Sequence, residues 1–204
     1  MNLIVQYYTD KHAVRQKEID DCLWKNVENG YIKHIHLLLE NDVNLPTESE
    51  KIYKTIIGKR LSYKDAFSFA GENLANQICI LSNADIFFND TISLVTEELL
   101  TNKIYALSRY DLSGQGKLNI FNRKDSQDVW IFKPPLPSIK SDFLLGMPGC
   151  DNRIAYEIKA AGIEITNPCL SIKVAHVHKS KKRNYKHSDQ LKGPIMKIDH
   201  TQKL

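Results

Sequence analysis

The sequence predicts an α/β fold: a single domain built on a mostly parallel sheet with helices on both faces. Three observations carry that prediction. Short apolar runs suited to buried strands alternate with stretches of helical spacing. The helical stretches are bounded by capping and stop residues. The length, 204 residues with 42% hydrophobic, 25% charged, 9 Gly and 7 Pro, suits one ordinary core and excludes disordered, collagen-like and disulfide-miniprotein classes.

Taken in order, Leu3-Ile4-Val5 followed by Gln6-Tyr7-Tyr8 reads as a first strand ending in polar Thr9-Asp10. Ile19, Cys22, Leu23 and Val27 then recur at helical spacing until Asn29-Gly30 supplies a stop. Tyr31 to Glu40 is a β-rich run closed by an acid, residues 41–50 form a polar loop with Pro46, and Tyr53 to Ile57 reads as another short strand. Ser62-Tyr63-Lys64-Asp65 has the form of a capping box, and Ala66, Phe67, Ala70 and Leu74 continue as a helix packed on a sheet. Ile78 to Leu81 is a strand that runs straight into Ser82-Asn83-Ala84-Asp85. Asp90 or Thr91 is positioned to cap a helix over 91–100, and Ile104 to Leu107 is again a buried strand. Residues 111–127, polar with two glycines, are expected as a long loop at the C-terminal edge of the sheet. Val129 to Phe132 is a strand stopped by Pro134-Pro135, Asp151 or Asn152 caps a helix that ends at Gly162, and Leu170 to Val177 is the final strand. From Lys179 the pattern dissolves, so the expected organisation is a domain over 1–178 and a basic, lid-like mobile tail over 179–204.

Charge is unevenly placed. The chain is +4 overall, but residues 179–204 hold eight Lys/Arg against two Asp, which leaves residues 1–178 at −2. Such a tail suits the phosphates of nucleic acid, lipid or nucleotide, and equally a solvated surface. Cys22, Cys79, Cys150 and Cys169 stand far apart with no C-x-x-C, so they are expected reduced, with no zinc knuckle or redox pair. No apolar run approaches the ~20 residues of a membrane helix, and MNLIVQYYTD lacks the cationic region and apolar length of a signal peptide. The expectation is a cytoplasmic protein with no transmembrane segment.

Four groups of residues carry chemistry. Asn83-x-Asp85 closes a buried strand, where residues two apart share a side, and an amide with an acid there suits a hard Mg²⁺ or Mn²⁺ ion bridging phosphates. The same pair suits a simple turn. His176-Val177-His178 continues the phase of Leu170, Ile172 and Val174, so an apolar face becomes imidazole at the strand end; two such rings suit a metal or a phosphate. Asp128, before a strand, and Asp151, at a helix start, are candidates for a base or for steadying positive charge at a sugar carbon; a helix cap also explains Asp151. Arg15, Arg60 and the cluster Lys179, Lys181, Lys182, Arg183 with Tyr185 suit diphosphate oxygens. There is no P-loop, G-x-G-x-x-G, G-x-S-x-G or H-E-x-x-H, which removes the usual support for P-loop NTPase, dinucleotide, α/β-hydrolase and zincin readings.

Read together, Tyr7-Tyr8-Thr9-Asp10, Glu40, Arg60-Leu61-Ser62-Tyr63, ILSNADIFF, SQDVWIF, GCDNRIAYEI and NP-x6-AHVH-x4-RNY resemble a small GT-A glycosyltransferase domain over essentially the whole chain. The resemblance is to compact domains of bacterial surface-glycan proteins and to the N-terminal domain of a chlorella-virus capsid-glycosylating protein. It implies a GT-A-like (Rossmann-like) sheet and a hexosyl- or deoxyhexosyltransferase that moves a sugar from a UDP- or other NDP-sugar donor to a glycan or protein-linked glycan acceptor. Asn83-Ala84-Asp85 takes the place of the family's D-x-D motif, with Asn in its first position. By position, Tyr8 and Thr9 lie against the nucleotide, Glu40 faces its base or ribose, Arg60 reaches base or phosphate, and Asn83 sits beside the donor. Asp85 with His176 or His178 holds Mn²⁺ or Mg²⁺, Asp151 matches the acceptor-activating base of inverting members, and Asp128 matches the donor-sugar border of retaining ones.

The alternative is a non-catalytic nucleotide-sugar-fold module that binds glycan or nucleic acid through its basic tail; on the glycosyltransferase reading no nucleic-acid partner is expected. A nucleotidyltransferase usually opens with a Gly-rich phosphate loop after its first strand, and QYYTDKHAVRQKE contains no glycine.

Overall fold

Leu3 and Val5 face one side of the first strand and Ile4 the other, and the neighbouring strands repeat this two-sided apolar alternation, so the central sheet must be covered twice. A computed structural model describes residues 1–178 and 187–204 of the chain. Its elements run β1 (Asn2–Val5), α1 (Ala13–Glu28), β2 (His34–Leu39), β3 (Ile52–Ile56), α2 (Tyr63–Asn73), β4 (Cys79–Ser82), β5 (Ile86–Phe88), β6 (Lys103–Leu107), β7 (Tyr110–Leu112), β8 (Leu118–Ile120), β9 (Val129–Phe132), α3 (Cys150–Ala160), β10 (Glu164–Thr166) and β11 (Val174–His176).

Seven strands form one sheet in the order β10-β6-β9-β4-β1-β2-β3. All neighbours are parallel except β9, which runs antiparallel to both β4 and β6. The expected α/β architecture is therefore present, and the reversed strand has a consequence for function: its N-terminal end lies at the edge where the parallel strands have their C-terminal ends. A second sheet, β5-β11-β7-β8, stands beside that edge, with β11 antiparallel to β5 and parallel to β7.

One core layer joins Leu3, Val5, Leu37 and Ile131 of the main sheet to Ile19 and Leu23 of α1 and Val174 of the second sheet. The other joins Ile4, Leu38, Leu81 and Trp130 to Ala66 and Ala70 of α2 and Ile154 and Ile158 of α3. The predicted capping box is complete: Asp65 N–H donates to Ser62 Oγ at 3.1 Å, and Ser62 N–H donates to Asp65 Oδ2 at 3.2 Å. The four cysteines are buried and unpaired. Among the described residues, no helix is long and apolar enough to cross a membrane.

The structure departs from the sequence expectation at several points. The expected final strand Leu170 to Val177 is only Val174–His176, because the Ser171 and Ile172 N–H groups turn back onto the Pro168 carbonyl. The expected helix over 91–100 is two short 3₁₀ turns, Asp90–Leu94 and Glu98–Leu100; Ile92 and Val95, three apart, both reach the core, a spacing that a three-residue turn satisfies. The expected loop over 111–127 holds the hairpin β7–β8, closed at Ser113–Lys117 with Gly116 at φ 78°. Helix α3 is capped by Gly149 in the left-handed region, so Asp151 lies inside the first turn rather than at the cap. Finally, the C-terminal segment is no free tail over 191–204. Ile198 is buried, Leu191 and Met196 pack on the second core layer, and backbone bonds tie Met196 to Asn152, Ile198 to Lys124 and Thr201 to Asn167. Lys179, Lys181, Lys182, Arg183 and Tyr185 lie outside the described residues.

A candidate active site at the carboxyl edge of the sheet

The ends of the strands open into one cavity of about 900 Å³. Crevices outside the carboxyl ends of parallel strands are where open α/β sheets carry ligands, because each strand delivers the loop that follows it to the same edge. Tyr8 and Thr9 enter the cavity after β1 and Glu40 after β2, while Arg60 arrives from the segment before α2. Asn83 and Asp85 follow β4, and His176 and His178 end β11. Asp128 reaches the same edge only because β9 is reversed, and Asp151 projects from the first turn of α3.

At one end of the cavity, Asp85, His176 and His178 bring a carboxylate and two imidazoles to within 4.8 Å of one another. Asp85 sits at the joint between the two sheets, and Val177 N–H donates to its carbonyl at 3.0 Å. His176 pairs in register with Asp111 of β7, which explains the 2.8 Å bond from its Nδ1 to Asp111 Oδ1 and turns Nε2 toward Asp85 at 3.2 Å. A carboxylate behind a ligating histidine is the arrangement that orients imidazole for a metal. Two features together fit this end to a divalent ion: the mixed O/N donor set and the anchored imidazole.

Arg15 of α1 joins the same group. Its Nη2 donates to Asp85 Oδ2 at 2.7 Å, and its Nη1 donates to His178 Nδ1 at 3.0 Å and to Glu18 Oε2 at 3.1 Å. Burial alone would raise the Asp85 carboxyl, but the bond from His176 and the positive charges of His176 and Arg15 outweigh it and hold that carboxyl well below the usual range. Burial would lower His176; its bond to Asp85 and the Asp85 charge raise it instead.

The other end holds two carboxylates. Asp128 is buried and receives Arg109 Nη1 on both oxygens at 3.1 Å and Asn83 Nδ2 on Oδ1 at 3.1 Å. Asn83 therefore turns its amide to Asp128, not to the Asp85 cluster. Asp151 keeps weaker company: Cys150 Sγ at 3.2 Å and Tyr63 Oη at 3.5 Å donate to its Oδ1. Enclosure first, and the charge of Asp128 second, raise the Asp151 carboxyl to about 7. The two ends are joined, because Asp111 Oδ1 accepts from His176 and also from Arg109 Nε at 3.0 Å.

The residues expected to meet the nucleotide also line the cavity. Gln6 Nε2 donates to Glu40 at 3.5 Å, Arg60 Nη2 donates to the Leu145 carbonyl at 3.0 Å, and Tyr8 Oη lies 3.5 Å from Arg15. Sequence reasoning missed Asp111 and Arg109, which lie in the stretch read as loop and its approach; Arg109 also stacks over Phe121 at 4.1 Å. Arg15 was legible as a cation for phosphate but not as the partner of Asp85.

No family model matches the chain, and no curated protein matches it. Among solved structures it is similar to HddC from Yersinia pseudotuberculosis, at 13% identity over 65% of this chain and 76% of that one, TM-score 0.39. It is also similar to the 2-C-methyl-D-erythritol 4-phosphate cytidylyltransferase of Francisella tularensis, at 12% identity over 92% and 95%, TM-score 0.45. A third is the 4-diphosphocytidyl-2C-methyl-D-erythritol synthase of Anaerococcus prevotii, at 11% identity over 92% and 93%, TM-score 0.49. None of the three is named as a glycosyltransferase or as a viral protein. The residues of the cavity, rather than these likenesses, support the functional reading that follows.

Proposed function

We propose that the protein is a metal-dependent glycosyltransferase that moves a sugar from a nucleoside-diphosphate donor, UDP-sugar first among them, to a hydroxyl of a glycan acceptor. One observation carries this reading: a carboxyl raised to about 7 opens into the same cavity as an Asp/His/His donor set. Diphosphate departure needs counter-charge, and acceptor attack needs a base poised near neutral pH. A divalent ion held by Asp85, His176 and His178 would supply the counter-charge.

The remaining roles fall to the chain's own residues. Tyr8 and Thr9 lie against the nucleoside, Glu40 accepts from its ribose or base, and Arg60 meets base or phosphate. Asp151 takes the proton of the acceptor hydroxyl; the freed oxygen forms a bond to the anomeric carbon, and the bond from that carbon to the diphosphate oxygen breaks with its electron pair leaving on the nucleotide. That is an inverting transfer. Asp128, already bonded to Arg109 and Asn83, serves to fix those two groups rather than to accept a proton. The absence of glycine from the segment after β1 favours a sugar donor over the nucleotidyltransferase alternative, in which backbone must approach a triphosphate closely.

A panel of UDP- and other NDP-sugars, read by mass spectrometry for donor hydrolysis and for transfer with Mn²⁺ present, tests the reading. Turnover of at least one donor that stops on chelation supports it; no turnover of any donor, with nucleoside diphosphates failing to shift the melting temperature, overturns it.

A further inference from the structure

We infer that Arg15 is a built-in competitor for the divalent cation, so that cation binding at Asp85 requires the guanidinium to be moved aside. The inference rests on the transferase reading only for the identity of the site.

The geometry is specific. Arg15 is buried, and its guanidinium holds two of the three groups that a cation would use: Oδ2 of Asp85 at 2.7 Å and Nδ1 of His178 at 3.0 Å. Arginine only donates, so His178 Nδ1 is the acceptor in that contact, and its lone pair is engaged. A guanidinium and a divalent ion on one buried carboxylate oxygen repel each other strongly in such a low-dielectric setting. The structure also provides a place for the displaced cation. Glu18, one turn further along α1 and itself buried, already accepts from Nη1 at 3.1 Å, so Arg15 released from Asp85 keeps a counter-charge. Removing Arg15 therefore opens the site, and removing the refuge at Glu18 closes it further. In the presence of donor, the diphosphate offers the guanidinium a second refuge in the same cavity, which makes nucleotide and cation binding mutually supportive.

The test is direct Mn²⁺ binding without nucleotide, read from the free-Mn²⁺ signal in electron paramagnetic resonance, for the parent, Arg15→Gln, Glu18→Gln, Asp85→Ala and the double variant Arg15→Gln/Asp85→Ala. Arg15→Gln is expected to bind Mn²⁺ about tenfold or more tightly than the parent, Glu18→Gln more weakly, and both Asp85→Ala proteins not at all. A folded Arg15→Gln protein with parental or weaker Mn²⁺ affinity overturns the inference. If Arg15→Gln shows no cooperative melting transition, Glu18→Gln decides, and parental or tighter binding there overturns it. Failure here leaves the transferase reading intact as long as Asp85→Ala loses Mn²⁺; a gain in Arg15→Gln, alongside a parent that turns over no donor and whose melting temperature nucleoside diphosphates do not shift, supports the competition and overturns the transferase reading instead.

Discussion

The two ends of the cavity use the same residue type for opposite purposes. Asp85 is surrounded by two imidazoles and a guanidinium, and its carboxyl is held well below the usual range. Asp151, in the same cavity, is enclosed beside the negative charge of Asp128, and the Cys150 thiol, the Arg109 charge and the Gln127 backbone offset this only in part, so its carboxyl is raised to about 7. Burial pushes both carboxyls upward, so the sign of the outcome is decided by the partners. One end favours positive charge and the other keeps a proton, the division of labour that the proposed transfer would require.

The largest effect that breaks this comparison is at the cation end. Asp85→Ala is expected to abolish Mn²⁺-dependent UDP binding in calorimetry, while binding parental in both affinity and metal dependence would reduce Asp85 to a turn residue. Next is the scaffold behind the proton end. Ile198 is buried, and its neighbour Met196 is bonded to Asn152 of α3, so Ile198→Ala is expected to cost about 2–4 kcal/mol in denaturant unfolding. A loss under about 0.5 kcal/mol, the range of an ordinary surface change, would return residues 191–204 to the status of a loose tail. Asp111 joins the two ends through His176 and Arg109, and Asp111→Asn is expected to weaken Mn²⁺ binding by about 10–100-fold, the range for losing the group behind a metal-binding histidine. An unchanged affinity separates the ends.

The smallest effect is on stability against pH. Because the folded carboxyl of Asp151 lies near 7 and an unfolded one near 4, the native state binds the proton more tightly; stability is greatest at low pH within this window and falls as pH rises from about 4 to 7. Asp151→Asn removes that slope, so at pH 8 it is expected to be more stable than the parent by about 1–2 kcal/mol, a figure reduced from the full shift because the side chain is half-buried. Parallel stability curves for the two proteins across this range would contradict the raised carboxyl.

How much of this was legible follows from where each signal resides. Strong local patterns carried through: the capping box at Ser62, the buried runs of β1, β4, β6 and β9, and the i, i+2 spacing that puts His176 and His178 on one side with rings 5.4 Å apart. The ten residues proposed for the site all line the cavity, since each lies at or beside the end of an element at the same edge. Relations between distant elements were not legible. The reversal of β9 leaves no mark in VWIF itself, although it is what carries Asp128 to the rim. The strands β7, Tyr110-Asp111-Leu112, and β8, Leu118-Asn119-Ile120, alternate over only three residues each, too short a run to stand out, which hid Asp111 behind His176. Leu191, Met196 and Ile198 lack any period, separated as Leu191 is from the others by Gly193-Pro194, yet their packing makes the segment part of the body.

The most direct measurement compares Asp151→Asn with the parent, recording sugar transfer and Mn²⁺–UDP binding on the same preparations. Asn keeps the shape and loses the proton acceptor, so binding is expected to match the parent while transfer falls by at least ~10², the lower range for removing a general base; the parent's transfer rate is expected to rise with pH up to about 7 and then level. Full transfer by Asp151→Asn, together with an inactive Asp128→Asn, would contradict this and move the reacting carboxylate to Asp128 with a retaining mechanism.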